Sequence, residues 1–244
     1  MALLEVRQVT KTYGALQALG GVDLDVEAGS FHGLIGPNGS GKSTLLKAIA
    51  GAHFPSSGTI RFDGEEITRR TPAGRSRAGL SLKFQITAVL PELSVYDNVL
   101  LALQAHRGIW ELFGSRSRRA LARDVMEMLE RFRLADRPDD LAGELSHGEQ
   151  QWLEIAMALA QKPKLLLLDE PTGGMSPEER RETGRLLEPI KAYCALVIVE
   201  HDLDFIKDIC DRLTVLDAGK VLDHGTVAEI EQSDRVQEVY TTRV

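Results

Sequence analysis

Gly36-Pro37-Asn38-Gly39-Ser40-Gly41-Lys42-Ser43 is the stretch on which the reading of this chain turns. It fits the pattern G-x-x-x-x-G-K-[ST]. Phe31 to Ile35, just before it, is a short and mostly apolar run, and Thr44 to Ala50, just after it, has a helical pattern. A strand that breaks into a glycine loop and re-forms as a helix is the setting in which the pattern holds phosphate. The glycines let successive backbone N–H groups close around phosphate oxygens without Cβ clashes. The following helix aims its positive end at the same oxygens. Lys42 then reaches the β- and γ-phosphates of a nucleotide, and Ser43 ligates Mg2+. A chance match in a chain of this length arises about once in a hundred, so an incidental glycine-rich turn is the weaker explanation.

Working outward, Val22, Leu24 and Val26 alternate with polar residues, as in a half-buried strand. Ile60 and Phe62 alternate again, with Asp63-Gly64 as a hairpin signal behind them. The middle of the chain changes period. Leu121, Val125, Met128, Leu129 and Phe132 fall on one helical face, and Trp152, Leu153, Ile155, Ala156, Leu159 and Ala160 mark another helix. Residues 87–160 are therefore expected as a helix-rich insert. Leu165–Leu168 and Leu196–Val199 are short, wholly apolar runs that suit strands buried on both faces of a parallel sheet. Leu213–Leu216 and Val221-Leu222 flank Asp217-Ala218-Gly219-Lys220 as a hairpin-like unit. The alternation of buried strands and helices gives an α/β core.

Length and composition bound the answer from another side. The chain has 244 residues, 43% hydrophobic and 27% charged, with a formal charge of −7. These proportions exclude a disordered, collagen-like or disulfide-scaffold protein. A chain this long buries a substantial core without staples. Its acidity argues against general nucleic-acid binding. Cys194 and Cys210 stand in apolar-patterned segments with no metal-ligand spacing, and are expected as buried free thiols in a reducing compartment. No apolar stretch approaches the ~20 residues of a membrane span, and the first residues lack the pattern of a signal peptide. The expected setting is the cytosol.

Three further clusters carry chemistry. Leu165–Leu168 ends in Asp169-Glu170. Beside a phosphate loop, an Asp at such a strand end holds Mg2+, and Glu170 faces the attacking water as general base. His201, in Val197-Ile198-Val199-Glu200-His201-Asp202, follows another apolar strand at the same edge of the sheet, where it can hydrogen-bond the γ-phosphate. Asp202 reads as the cap of the next helix. Leu145-Ser146-His147-Gly148-Glu149-Gln150 precedes the Trp152 helix. Ser146 and Glu149 have capping-box spacing, and a capped helix N-terminus can also serve as a second anion site.

The order of these motifs resembles the ATP-binding subunits of ABC transporters across nearly the whole chain, roughly residues 3–232. The phosphate loop comes first, then Gln85 in Lys83-Phe84-Gln85-Ile86-Thr87, then Leu145-Ser146-His147-Gly148-Glu149, then Asp169-Glu170, then His201. The resemblance implies one ABC ATPase domain over residues 1–244. It would have a parallel-sheet core, an N-terminal antiparallel β subdomain, an inserted helical subdomain at about 87–160 and a peripheral end at about 233–244.

The same resemblance implies that two subunits pair head to tail, each ATP lying between the phosphate loop of one and the signature motif of the other. On that basis Gly36, Pro37, Asn38, Gly39, Ser40, Gly41, Lys42, Ser43 and Thr44 bind ATP, with Tyr13 stacking on adenine. Ser146 and Gly148 contact the γ-phosphate across the dimer. Ser43, Gln85 and Asp169 hold Mg2+, and Glu170, His201, Gln85 and Lys42 act in hydrolysis. The alternative for Tyr13 is a strand aromatic packed on the core. Two positions depart from the family. His147 stands where glycine is usual, and Ser176 where the family often shows Asp. Ser176-Pro177-Glu178-Glu179 still has the form of a capping box with Pro in the first turn.

Within the family, the chain resembles importers of branched-chain amino acids and of urea or short amides; Lys83-Phe84-Gln85, Leu145-Ser146-His147-Gly148 and Gln151-Trp152-Leu153-Glu154-Ile155 look like the urea-type subunits. The implied partners are a second ABC ATPase subunit, polytopic membrane permease subunits and a solute-binding protein, with no nucleic acid. The implied place is the cytoplasmic face of the inner membrane, reached peripherally. Leu93-Ser94-Val95-Tyr96-Asp97-Asn98 is also similar to a lipopolysaccharide-exporting relative, and a soluble non-transport ABC ATPase is a third alternative. Residues 104–120 carry Arg107, Arg116, Arg118 and Arg119 against Glu111, interleaved with Trp110, Leu112 and Phe113. They fit either a solvated loop packed back on the helical lobe or a docking surface for a membrane subunit or anionic headgroups.

Overall fold

The computed structural model of the chain describes residues 2–83, 89–105 and 116–242. β1 (Leu4–Tyr13) and β2 (Leu16–Val26) form a long antiparallel hairpin. On β2 the alternation seen in sequence becomes burial: Val22, Leu24 and Val26 face inward while Asp23 and Asp25 face solvent. β3 (Phe31–Ile35) leaves this sheet and is followed by the phosphate loop and helix α1 (Lys42–Ala50). β4 (Ser57–Phe62) and β5 (Glu65–Glu66) return to the hairpin, giving the antiparallel order β2-β1-β4-β5. Asp63 and Gly64 join them with φ of 50° and 80°, the left-handed pair that suits the twist of a two-residue hairpin loop.

The second sheet is mostly parallel. After α2 (Pro72–Arg77) come β6 (Leu80–Lys83), β7 (Leu165–Asp169), β8 (Ala195–Val199), β9 (Arg212–Asp217) and β10 (Lys220–Thr226). The order is β10-β9-β3-β8-β7-β6, parallel throughout except for β10, which pairs antiparallel with β9. Every residue of β3, β7 and β8 is buried. Such strands show no period of two because both faces are covered. Leu166, Leu168, Leu196, Ile198 and Phe31 point into one core, and Leu165, Leu167, Ala195, Val197 and Leu34 into the other.

The two cores have different covers. α1 and the antiparallel sheet close the second. The first is closed by α3 (Val95–Gln104), α4 (Arg116–Arg131) and α5 (His147–Ala160), inserted between β6 and β7. Leu121, Val125 and Leu129 are the buried stripe of α4, continued by Phe132 just beyond its end. α6 (Pro177–Leu187) and α7 (Leu203–Ile209) follow β7 and β8, and α8 (Val227–Glu231) and α9 (Asp234–Thr242) follow β10. Val236 of α9 is buried in the first core. Among the described residues, no helix is long and apolar enough to cross a membrane.

Candidate active site

The phosphate loop holds its shape through space as well as torsion. Gly36 has φ of 144°, and a Cβ there would lie 2.1 Å from Leu216 O. Gly41 has φ of 105° and caps α1 without any side-chain bond. The first turn of α1 therefore presents backbone N–H groups toward the loop, as an anion site requires. The turn between β9 and β10 braces this arrangement, with Gly219 N donating to Ser40 O at 2.9 Å and Gly20 N donating to Gly219 O at 2.8 Å.

Lys42 folds back over the loop, its Nζ donating to Gly36 O at 2.8 Å and to Pro37 O at 3.1 Å. Burial pulls its ammonium below the ordinary lysine value, against the opposing pull of Glu170 and Asp169. Ser43 Oγ donates to Asp169 Oδ1 at 3.4 Å. Burial raises the Asp169 carboxyl, with Glu170 adding to the effect and the Ser43 bond, Lys47 and Lys42 opposing it. The hydroxyl and carboxylate are the hard oxygen donors that Mg2+ prefers, and that ion completes its shell with water and phosphate oxygens. The described residues contain no cluster of three or more His, Cys, Asp or Glu side chains able to hold a metal by themselves. The Ser43 hydroxyl and the Asp169 carboxylate fit Mg2+ as part of its oxygen shell.

Glu170 lies one residue beyond Asp169, at the point where β7 turns. Its φ of 51° is left-handed, which costs a residue with a Cβ roughly 1–2 kcal/mol. Its neighbours hold it there. Glu170 N donates to Val199 O at 2.9 Å, and Gly173 N donates to Glu170 O at 3.2 Å. His201, one strand over, donates from Nε2 to Glu170 Oε1 at 2.8 Å. The adjacency of β7 and β8 brings these two side chains together across 31 positions of sequence.

Glu200 is a participant that sequence reasoning missed. It is buried; Oε1 accepts from Thr172 N at 2.7 Å and Thr172 Oγ1 at 2.6 Å, and Oε2 accepts from His201 N at 3.1 Å. One carboxylate therefore clamps the turn after Glu170 to the backbone of His201. Its signal in the sequence is a carboxylate at the end of an apolar strand, the feature that also marks Asp169-Glu170. Asp202 caps α7 as expected, accepting from Phe205 N at 2.9 Å, and it also pairs with Arg180.

A cleft of about 520 Å³ joins these parts. It is lined by Tyr13, Leu16, Gln17 and Ala18, by Asn38, Gly39 and Gly41 to Thr44 of the phosphate loop and α1, by Glu170 and His201, and by Ala218 and Gly219, of which Gly219 lies against Ala18. Tyr13 is exposed at its edge, with its hydroxyl 2.6 Å from His53 Nδ1 and Lys11 Nζ 5.0 Å from its ring centre. Ser146 and Gly148 do not line this cleft. They sit at the N-terminus of α5, where Ser146 N donates to Glu149 Oε2 at 2.8 Å and Glu149 N to Ser146 Oγ at 3.3 Å, a complete capping box. Ser176 and Glu179 make the same box at α6. A Cβ on Gly148 would meet Glu179 Oε1 at 2.4 Å, so the two helix starts lie against each other. Gln85 lies outside the described residues, as do Arg107, Trp110, Glu111, Leu112 and Phe113 of the 104–120 segment. Arg118 lies inside the fold's own network, 2.9 Å from Asp97 and over the Tyr96 ring.

A family model described as ABC transporter matches residues 19–173, more than half of the chain. The chain belongs to the ABC transporter family. It is an ABC ATPase, similar over its length to the branched-chain amino acid transport ATP-binding protein BraF of Pseudomonas aeruginosa. The two are 32% identical over 98% of this chain and 97% of that one. A ribose/galactose/methyl galactoside import ATP-binding protein of Agrobacterium fabrum is 34% identical over 96% of this cassette. The cassette spans only 46% of that relative's length. Among solved structures, the ADP conformation of an ATP-binding cassette of an ABC transporter superposes with a TM-score of 0.88 at 29% identity, covering 99% of each chain. A dimeric post-hydrolysis cassette bound to ADP and Pi gives 0.79 at 28% identity, over 92% of this cassette and 98% of that one.

Proposed function

We propose that this cassette is the ATP-hydrolysing subunit of a solute importer, working as a head-to-tail dimer beneath membrane permease subunits. The observation that carries the reading is the convergence of the phosphate loop, Glu170 and His201 on one cleft. Tyr13 offers an exposed ring at the adenine end, and the loop from Gly36 to Thr44 wraps the phosphates. Lys42 exchanges its bonds to Gly36 O and Pro37 O for phosphate oxygens. Ser43, Asp169 and, by resemblance, Gln85 would hold Mg2+, which when bound offsets negative charge on the phosphates. Glu170 accepts a proton from the attacking water, and His201 keeps the Glu170 carboxylate oriented. Ser146 and Gly148 do not line this cleft; by resemblance the N-terminus of α5, with Ser146 exposed there, would meet the nucleotide of a partner subunit.

The near full-length likeness to BraF favours branched-chain amino acids or a related small solute such as urea or an amide, delivered by a solute-binding protein. The membrane is reached through the permease, at the cytoplasmic face. Replacing Glu170 by Gln should trap an ATP-dependent dimer that co-purifies with polytopic membrane proteins. A variant that stays monomeric at saturating ATP, or brings down only soluble partners, would overturn the importer reading.

A further inference from the structure

His147 stands between Ser146 and Gly148, yet its exposed imidazole turns toward a loop of its own subunit. Its Nε2 lies 2.9 Å from Gly173 O. A carbonyl only accepts, so Nε2 carries the hydrogen. Gly173 belongs to the turn that sets Glu170, because its own N–H donates to Glu170 O. Next to it, Gly174 has φ of 76°, and a Cβ there would come within 3.1 Å of His147 Nε2. Glycine thus lets the loop close onto the imidazole.

The other side of the turn is fixed by a different element. Thr172 is clamped by the buried Glu200, and Glu200 also accepts from His201 N, while His201 reaches Glu170 Oε1. The turn therefore has a buried anchor just beyond β8 and an exposed anchor on α5. The exposed one stands at the capped N-terminus of α5, beside Ser146 and Gly148. Glu170 sits in left-handed backbone, a conformation that persists only where its surroundings hold it.

We infer that His147 is a positioning residue: through its bond to Gly173 O it links the N-terminus of α5 to the turn that carries Glu170. The inference rests on the reading of Ser146 and Gly148 as contacts to the partner's nucleotide. Engagement of that nucleotide then registers, within one chain, on the carboxylate that activates water in the chain's own cleft. The coupling uses two hydrogen bonds in series, from His147 to Gly173 O and from Gly173 N to Glu170 O.

The test uses the full chain and steady-state ATP hydrolysis. His147→Leu keeps the bulk and removes the donor, whereas His147→Gln keeps an N–H within similar reach. The leucine variant should lose about tenfold in kcat with KM for ATP changed by less than about twofold, and glutamine should restore most of the loss. In the Glu170→Gln background, His147→Leu should leave the ATP-dependent dimer intact. A leucine variant with parental kcat overturns the inference, and so does a loss that glutamine fails to rescue. Loss of the dimer on His147→Leu also overturns it, because His147 would then act on the nucleotide and not on the turn. Failure of Glu170→Gln to dimerise with His147 intact is a separate outcome: it overturns the dimeric reading, and this inference with it.

Discussion

The Arg75 guanidinium lies beneath the C-terminal end of α1, with Nη1 2.6 Å from Ala48 O and 2.5 Å from Ile49 O. Its Nη2 reaches Thr68 O at 2.9 Å and its Nε reaches Arg70 O at 3.1 Å. The side chain is fully buried. A helix end leaves carbonyls without partners and a partial negative charge, and a cation there answers both. Burial lowers its pKa only to about 10, so the group stays charged at neutral pH. The helix that begins at the phosphate loop is thus pinned at its other end by one arginine.

Replacing Arg75 by Met removes the guanidinium donor from four carbonyls, of which Ala48 O keeps a bond from Gly51 N. The expected loss is about 3 kcal/mol or more of unfolding free energy. Arg75→Lys should recover little of it, because an ammonium cannot span the same fork of acceptors. Urea unfolding monitored by circular dichroism measures both. A midpoint for Arg75→Met equal to that of the parent would show that the guanidinium does not pin the helix.

A second buried charge ties the helical insert to the sheet. Lys83 Nζ, at the end of β6, lies 3.1 Å from Glu154 Oε2 on α5, and both side chains are almost wholly buried. Removing one partner strands the other charge in the interior, so Lys83→Met or Glu154→Leu alone should cost about 3–5 kcal/mol. The double replacement should cost much less than the sum, since an apolar pair of similar volume is often neutral. A double-mutant cycle in urea reads the difference. Additive losses would mean that the two charges are solvated independently of each other.

How far the fold was legible depended on whether the information was contiguous. β3, β7 and β8 announced themselves because both faces are buried and the runs are unbroken. The Asp63-Gly64 turn and the boxes at Ser146 and Ser176 are local chemistry and read directly. β6 did not read as a strand: it has four residues, two of them Ser81 and Lys83, and the lysine is explained only by Glu154, distant in sequence. Nothing in the local sequence marks Arg75 for burial; its acceptors at Ala48, Ile49 and Thr68 lie on other segments. In the site, the phosphate loop was legible as a word, whereas the bond from His201 to Glu170 required β7 and β8 to be neighbours. Glu200 and Glu170 both end apolar strands and look alike in sequence. Only burial separates the clamp from the side chain facing the cleft.

The two thiols give a simple probe of local opening. Cys194 and Cys210 are buried and unpaired, and burial pushes each thiol up to about 12. The thiolate is the reactive form, so neither should take up iodoacetamide at neutral pH while the chain is folded. Both should react once urea unfolds it. Intact-mass measurement counts the adducts, and rapid modification of the native protein at either cysteine would contradict the packing of β8 or of the end of α7.

His32 should make the protein acid-sensitive in a defined window. It is buried within β3, with Nε2 2.8 Å from Thr214 Oγ1 on β9. Burial lowers its pKa from 6.5 to about 4; Arg212 and His224 push the same way and Asp25 opposes them. The unfolded chain thus binds the proton before the folded chain does. Stability is full above pH 6.5 and falls as the pH drops from there toward 4. At the end of that range the loss from this residue reaches about 3 kcal/mol. His32→Gln keeps a donor for Thr214 and removes the titration, so its stability should fall less steeply over the same range. Urea midpoints of the two proteins at a series of pH values isolate the histidine from the carboxylates they share. Parallel curves would assign the acid loss elsewhere. A divergence opening below pH 6.5 would assign it to the imidazole beneath the β3–β9 ladder.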